Sequence, residues 1–208
     1  MPNRALIPDL LTLLIRHPSR AGISNAYLSP PLLQNLRVYL EGLIDSPSFR
    51  GDLLVGEAPG YAGCARTGIP FTSEYVLVTS RHPFLVDLRP NLHCPGRQKE
   101  RSSSIVWNHL EKGTALPAFW NAFPFHPHPP HDPLGNRKPT APEARFGADV
   151  LDCILRILTP ARVFALGRVA EAAISRHLTR LGQPVYIRHP ANGGQTKFVA
   201  GMTTHRIG

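Results

Sequence analysis

Apolar residues recur at helical spacing at Ile7, Leu10, Leu11, Leu14 and Ile15, and again at Leu32, Leu36, Leu40, Leu43 and Ile44 behind Pro30-Pro31. Two amphipathic helices are therefore predicted within residues 1–50. The pattern then changes to a short unbroken run, Leu53 to Val55, as expected of a strand covered on both faces. "RVFALG" from Arg162 repeats that run and leads into a helix with Ala170, Ala173, Ile174, Leu178 and Leu181 on one face, with His177 placed in the core beside them. "LPAFWNAFPF", Leu116 to Phe125, is predicted as a further central strand, and "PVYIRHP" from Pro184 as the last, followed by a short final helix. Between them a helix is expected from about Glu143 to Leu158. Thr140 and Glu143 supply a capping box in which each side chain satisfies an otherwise orphan amide. Four strands separated by helical crossovers predict an α/β chain: a three-layer α/β/α sandwich around a central, mostly parallel four-stranded sheet. We expect one domain over residues 1–208, with no internal repeat.

Composition narrows the class of partner. The chain has 208 residues, 42% of them hydrophobic, which is enough for a substantial core. Lysine and arginine number 23 against 14 acids, a net charge of +9, so a polyanion is favoured and nucleic acid comes first. A basic surface that serves solubility alone is the plainer reading. Cys64, Cys94 and Cys153 form no C-x-x-C pair, which argues against a disulfide framework and fits a reducing, cytoplasmic setting. No apolar run is long enough to cross a bilayer, so no membrane partner is expected. Two segments rich in proline and cations, Ser80 to Ser104 and Pro124 to Pro142, are predicted as functional loops near the polyanion.

The ends of the predicted strands carry the chemistry, which is where open parallel sheets bind ligands. The first ends in Gly56-Glu57-Ala58-Pro59-Gly60, the second at Asn121, and the last at His189-Pro190. A glycine-rich turn lets a flat ligand approach the backbone closely. The G-K-[ST] ending of a phosphate-binding P-loop is absent, which counts against a nucleotide or small-metabolite hydrolase. His126, His128, His131 and Asp132 have irregular spacing for a metal and no cysteine beside them, so no metal is expected.

Taken together, Gly-x-x-Pro-Gly after a strand, Pro70-Phe71 about ten residues on, an asparagine on an apolar strand and a C-terminal His-Pro resemble the uracil-DNA glycosylase superfamily. The resemblance runs from about Asp52 to Met202 and is greatest to the bacterial branch whose first motif reads Gly-Glu-Ala-Pro-Gly. It implies a monofunctional glycosylase that removes uracil from DNA without a cofactor, starting base excision repair, and a monomer. On this resemblance Phe71 stacks the extruded base, Asn121 reads its O4 and N3–H, and His189 donates to O2 as the base departs. Gly56, Ala58, Pro59, Gly60 and Tyr61 line the base, and Glu57 positions water or the sugar, or else anchors the loop. Arg137 and Lys138 contact phosphates from the proline-rich loop, and Arg188, Asn192, Gly193, Gln195 and Lys197 contact DNA beside the last motif.

Several positions depart from the family pattern. Ala58 stands where the fastest branch carries the aspartate that orients water, and Gly60 where it carries a tyrosine that excludes the thymine methyl; Tyr61 or another residue must then act as the filter. Three cysteines cannot form the four-cysteine iron–sulfur site of related members. The segment after His189 has glycines where an apolar wedge is usual, which leaves Gln195, Lys197 or the long loops to intrude. A non-catalytic binder of uracil-containing or abasic DNA is the alternative that Ala58 leaves open.

Overall fold

A computed structural model of the protein describes residues 2–179 and 182–208. In chain order its principal elements are α1 (Ile7–Ile15), β1 (Ile23–Ser24), α2 (Pro30–Asp45), β2 (Phe49–Gly56), α3 (Cys64–Thr67), α4 (Glu74–Thr79), α5 (Pro83–Leu88), α6 (Arg101–Leu110), β3 (Leu116–Asn121), β4 (His126–Pro127), α7 (Ala141–Leu158), β5 (Arg162–Leu166), α8 (Arg168–His177), β6 (Val185–Ile187) and α9 (Gln195–Thr204). Four strands form a parallel sheet in the order β3-β2-β5-β6. Helices cover both of its faces, giving a three-layer α/β/α sandwich. Leu53 to Val55 and Leu116 to Asn121 are buried at every successive position, as a sheet covered on both sides requires.

The strand order explains where the site lies. From β2 the chain crosses to β3 on one side and later reaches β5 on the other, so the order of travel reverses at β2. Crevices at the carboxyl end of such a switch point are where open sheets bind ligands. Register is fixed at both ends of β2. Asp52 pairs with Arg162 of β5 and accepts two hydrogen bonds of 2.7 Å from its guanidinium, while Gly56 stands opposite Asn121 of β3.

Three expectations are corrected. Leu116 to Phe125 is not a central strand: β3 stops at Asn121 and lies at the sheet's edge, a place that suits Pro117, which has no N–H to give a neighbour. Phe123 and Phe125 turn into the core, and His126–Pro127 returns as an antiparallel ladder with Ile23–Ser24. Residues 80–104 are not a plain loop. They contain α5, started by the His82 side chain accepting from the Phe84 amide, and the first turn of α6. His177 is half-buried rather than core, and Leu181 lies outside the described residues.

Arg137 also changes role. Its guanidinium donates to both carboxylate oxygens of Glu143 at 2.7 Å, to the carbonyls of Gly22 (2.8 Å) and Lys138 (3.0 Å), and through Nε to that of His128 (3.1 Å). All five N–H groups are thereby engaged within the chain, which leaves none for a phosphate. The pair instead clasps the proline-rich loop to the start of α7, where the Thr140–Glu143 capping box forms as predicted.

Burial opposes ionisation of Glu143, but hydrogen bonds from Arg137 and Thr140 outweigh it and hold its pKa below the ordinary 4.5. A depressed carboxylate stabilises the fold above its unfolded pKa and ceases to as pH falls through the folded value. Glu143→Gln is therefore expected to cost about 3 kcal/mol at pH 7, because it strands a partly buried guanidinium. Denaturant unfolding across pH should show a weaker loss of stability below pH 4.5 in the variant than in the parent protein.

Candidate active site

The loops after β2, β3 and β6 enclose a cavity of about 370 Å³. Its wall is begun by Gly56, although that residue lies behind the lining. A Cβ there would sit 2.7 Å from Phe71 Cε2 and 2.9 Å from Asn121 Oδ1, so the absence of a side chain is what lets ring and amide meet over the strand end. Among the described residues no group hydrogen-bonds the Asn121 carboxamide, which lines the cavity. It keeps both a donor and an acceptor for a ligand.

Phe71 is buried and also lines the cavity, so one ring belongs both to the core and to the cavity wall. Its φ of 53° lies in the left-handed region, which costs a non-glycine residue on the order of 1–2 kcal/mol. The surroundings impose it: Trp107 Nε1 donates to the Phe71 carbonyl at 3.2 Å and to Thr72 Oγ1 at 3.1 Å, and the ring packs 5.5 Å from that of Phe119. The platform is thus set by the fold. His189 stands 5.9 Å from it, ring centre to ring centre.

His189 is half-buried, and burial, with Arg188 adding to it, pushes its pKa down to about 4. The imidazole is neutral at physiological pH. Its Nδ1 accepts from the Ala191 amide at 3.1 Å, so the single ring proton resides on Nε2. Glu57 follows the strand end on the opposite wall; burial raises its pKa and nearby Lys138 opposes the rise. Its backbone carbonyl accepts from the Phe123 amide at 3.0 Å, which ties the turn to the end of β3.

The structure brings Glu57, Ala58, Pro59, Gly60, Phe71, Asn121, Lys138, His189 and Asn192 to the cavity. Arg137 also lines it, spent on the clasp. Tyr61 is exposed and does not line it, so it is not the filter over the base. Gly193, Gln195 and Lys197 are exposed beyond the cavity, and half-buried Arg188 donates to the Asn192 carbonyl at 3.3 Å. Asn192 and Gly193 both have positive φ (51° and 73°), forming the sharp turn that carries the chain from His189 to α9. Two of the histidines weighed for a metal are structural: His126 lies between the carbonyls of Pro59 (2.9 Å) and Pro133 (3.1 Å), and His128 between Ser24 Oγ (3.1 Å) and the Pro129 carbonyl (2.8 Å), while His131 is exposed. Glu100, Ser102, Asn136 and Ala191 were not anticipated as lining residues. Glu100, Asn136 and Ala191 lie in irregular segments where no hydrophobic period marks a facing side, and Ser102 lies in the first turn of α6. A second cavity, of about 270 Å³, shares Glu57 and is rimmed by Arg168, Arg176 and His177.

Gly56→Ala should displace Phe71 and Asn121 together. We expect a loss of about 1–3 kcal/mol in denaturant unfolding, the usual cost of overpacking, and a near-ultraviolet circular dichroism change from the displaced ring.

A family model of the uracil DNA glycosylase superfamily matches residues 52–205, a span that contains Gly56, Phe71, Asn121 and His189. No curated protein sequence matches the chain. Among solved structures, the crystal structure of wild-type Pedobacter heparinus SMUG2 is similar, with a TM-score of 0.63 and 14% identity, covering 97% of each chain. That likeness speaks for the fold, whereas the family match covers most of the sequence and the whole set of strand-end motifs. The chain belongs to the uracil DNA glycosylase superfamily.

Proposed function

We propose that the protein is a monofunctional glycosylase that hydrolyses the N-glycosidic bond of uracil in DNA and leaves an abasic site. One observation carries the reading. His189 presents a neutral imidazole whose Nδ1 is occupied by the Ala191 amide, so Nε2–H is available to an oxygen of a base in the cavity. When the bond between C1′ and the base breaks, the electron pair leaves with the base and positive charge develops on the sugar. A donor fixed in advance on the base oxygen stabilises that charge separation. Water then adds to C1′ and gives up a proton, and the base anion is protonated.

The other residues fit the same reading. A base acted on in DNA must leave the stack, and Phe71 offers a rigid face to receive it. The Asn121 carboxamide matches the donor and acceptor pattern of uracil O4 and N3–H; cytosine would leave it mispaired, at about 1–3 kcal/mol. On this reading Glu57 positions water or the sugar, and Lys138 with Arg188, Asn192, Gly193, Gln195 and Lys197 supplies contacts to the DNA backbone. Chemistry of this kind needs no cofactor.

The test uses end-labelled oligonucleotides holding one uracil, single- and double-stranded, with alkaline cleavage of abasic products. Excision should fall about 100- to 1000-fold in His189→Ala, the usual loss for one such donor. Asn121→Ala should lose uracil preference over cytosine as well as rate. Borohydride should trap no covalent adduct at Lys138, as expected without lyase chemistry. Tight abasic-site binding with no excision would favour the non-catalytic binder that Ala58 suggests. Ring-nitrogen NMR should find His189 in the neutral Nε2–H form until the pH approaches about 4, because protonation would turn Nδ1 into a donor facing the Ala191 amide.

A further inference from the structure

The cavity holds a carboxyl that no motif announces. Glu100 immediately precedes α6, its side chain lines the cavity, and it forms no ion pair among the described residues. Its Oε1 lies 2.8 Å from the point a Cβ on Gly60 would occupy and 2.7 Å from the corresponding point on Gly63. The carboxyl thus occupies space that side chains at both positions would need, against the far end of the turn that begins at Gly56. At the near end of the turn, Gly56 faces Phe71 and Asn121. A base whose O4 and N3–H meet the Asn121 carboxamide carries C5 next to C4, on the flank of that edge, and the Glu100 carboxyl lines the same cavity.

We propose that Glu100 is a specificity-determining residue that closes that flank of the base pocket against a ring substituent, so that uracil is admitted and thymine, with its C5 methyl, is refused. The inference rests on the glycosylase function proposed for this cavity and deepens it. Two physical effects act in the same direction. The carboxyl fills the volume a methyl would need, and a methyl pressed against it would remove water from polar oxygens without offering a hydrogen bond in return. Exclusion therefore does not require a bulky ring at position 60, where glycine stands. Cys64, on the same wall, is a buried thiol whose pKa is pushed up to about 12, chiefly by burial, so it adds volume and no charge. The flanking cations are turned outward: Lys99 and Arg101 are exposed, and the Lys99 ammonium stands over the Tyr75 ring at 4.8 Å.

Single-turnover excision of uracil and of thymine, each opposite guanine in the same oligonucleotide, tests the proposal in the parent protein and in Glu100→Ala, Glu100→Gln and Gly63→Ala. The thymine-to-uracil rate ratio should rise at least about 10-fold in Glu100→Ala, the lower end of what one methyl's worth of pocket space discriminates. It should also rise in Gly63→Ala, whose new methyl displaces the carboxyl while leaving Glu100 in place. In Glu100→Gln, which keeps volume and polarity, it should stay near the parent value. Taking the ratio within each variant cancels losses from partial unfolding. An unchanged ratio in both Glu100→Ala and Gly63→Ala overturns the proposal. Should the parent protein release no base, the glycosylase reading fails. The pocket is then read from binding of oligonucleotides with non-cleavable 2′-fluoro-deoxyuridine or 2′-fluoro-thymidine, and a preference unaltered by Glu100→Ala overturns the inference there too.

Discussion

The meeting of an aromatic ring and a carboxamide over one glycine, at the carboxyl end of β2, organises the site. It depends on the register that sets Gly56 opposite Asn121 and on the left-handed backbone that aims Phe71 back at the strand it follows. The second is locally unfavourable, because an L-residue resists positive φ, while the Asn121 carboxamide faces the cavity with no protein partner among the described residues. Both persist because the layers around them are closed: Trp107 holds the Phe71 carbonyl from α6, and the Tyr39 hydroxyl of α2 accepts from the Phe119 amide of β3 at 2.8 Å. Left-handed backbone at a non-glycine residue also occurs at Thr159, Asn192 and Arg206, but among these described residues only Phe71 combines it with a ring that faces the cavity.

Electrostatics around the cavity follow from the same enclosure. Burial disfavours charge on three ionisable groups that line the cavity: it holds His189 neutral and raises Glu57 and Glu100, Glu100 to about 7. Elsewhere hydrogen bonds and opposite charges outweigh burial. Glu74 keeps a depressed pKa against burial through Arg66 and the Gln98 amide, as Glu143 does through Arg137.

Much of this was legible in the sequence, for physical reasons that differ between segments. The unbroken apolar runs of β2 and β5 and the helical spacing in α1, α2 and α7 reflect burial on two faces or one, and burial leaves a period. The capping box was legible because its chemistry is local. The edge position of β3 was written in Pro117, yet the apolar run around it, buried although marginal, reads like an interior strand. Helices α3 to α5 have only four to six residues each, too short for a period, and are fixed by distant partners such as Asn35, which bonds the carbonyls of Thr67 and His93 at 2.8 Å. The cation at 137 could not be told from a free one, because its acid partner belongs to a capping box that already accounts for that acid. Glu100 gave no signal, since its position depends on two glycines some forty residues earlier.

The family span opens at residue 52 and contains every residue that lines the cavity, but one side of that wall is braced by residues that precede it. Pro127, Asn136, Arg137 and Lys138 reach the cavity on a loop moored to the N-terminal segment through the Ile23–Ser24 ladder, the Gly22 carbonyl and the Ser24 hydroxyl. A fragment trimmed to the span shared with relatives would therefore keep the sheet and its three strand-end motifs while casting one side of the pocket adrift. The leading fifty residues act as a buttress for a cavity lined entirely by the rest of the chain.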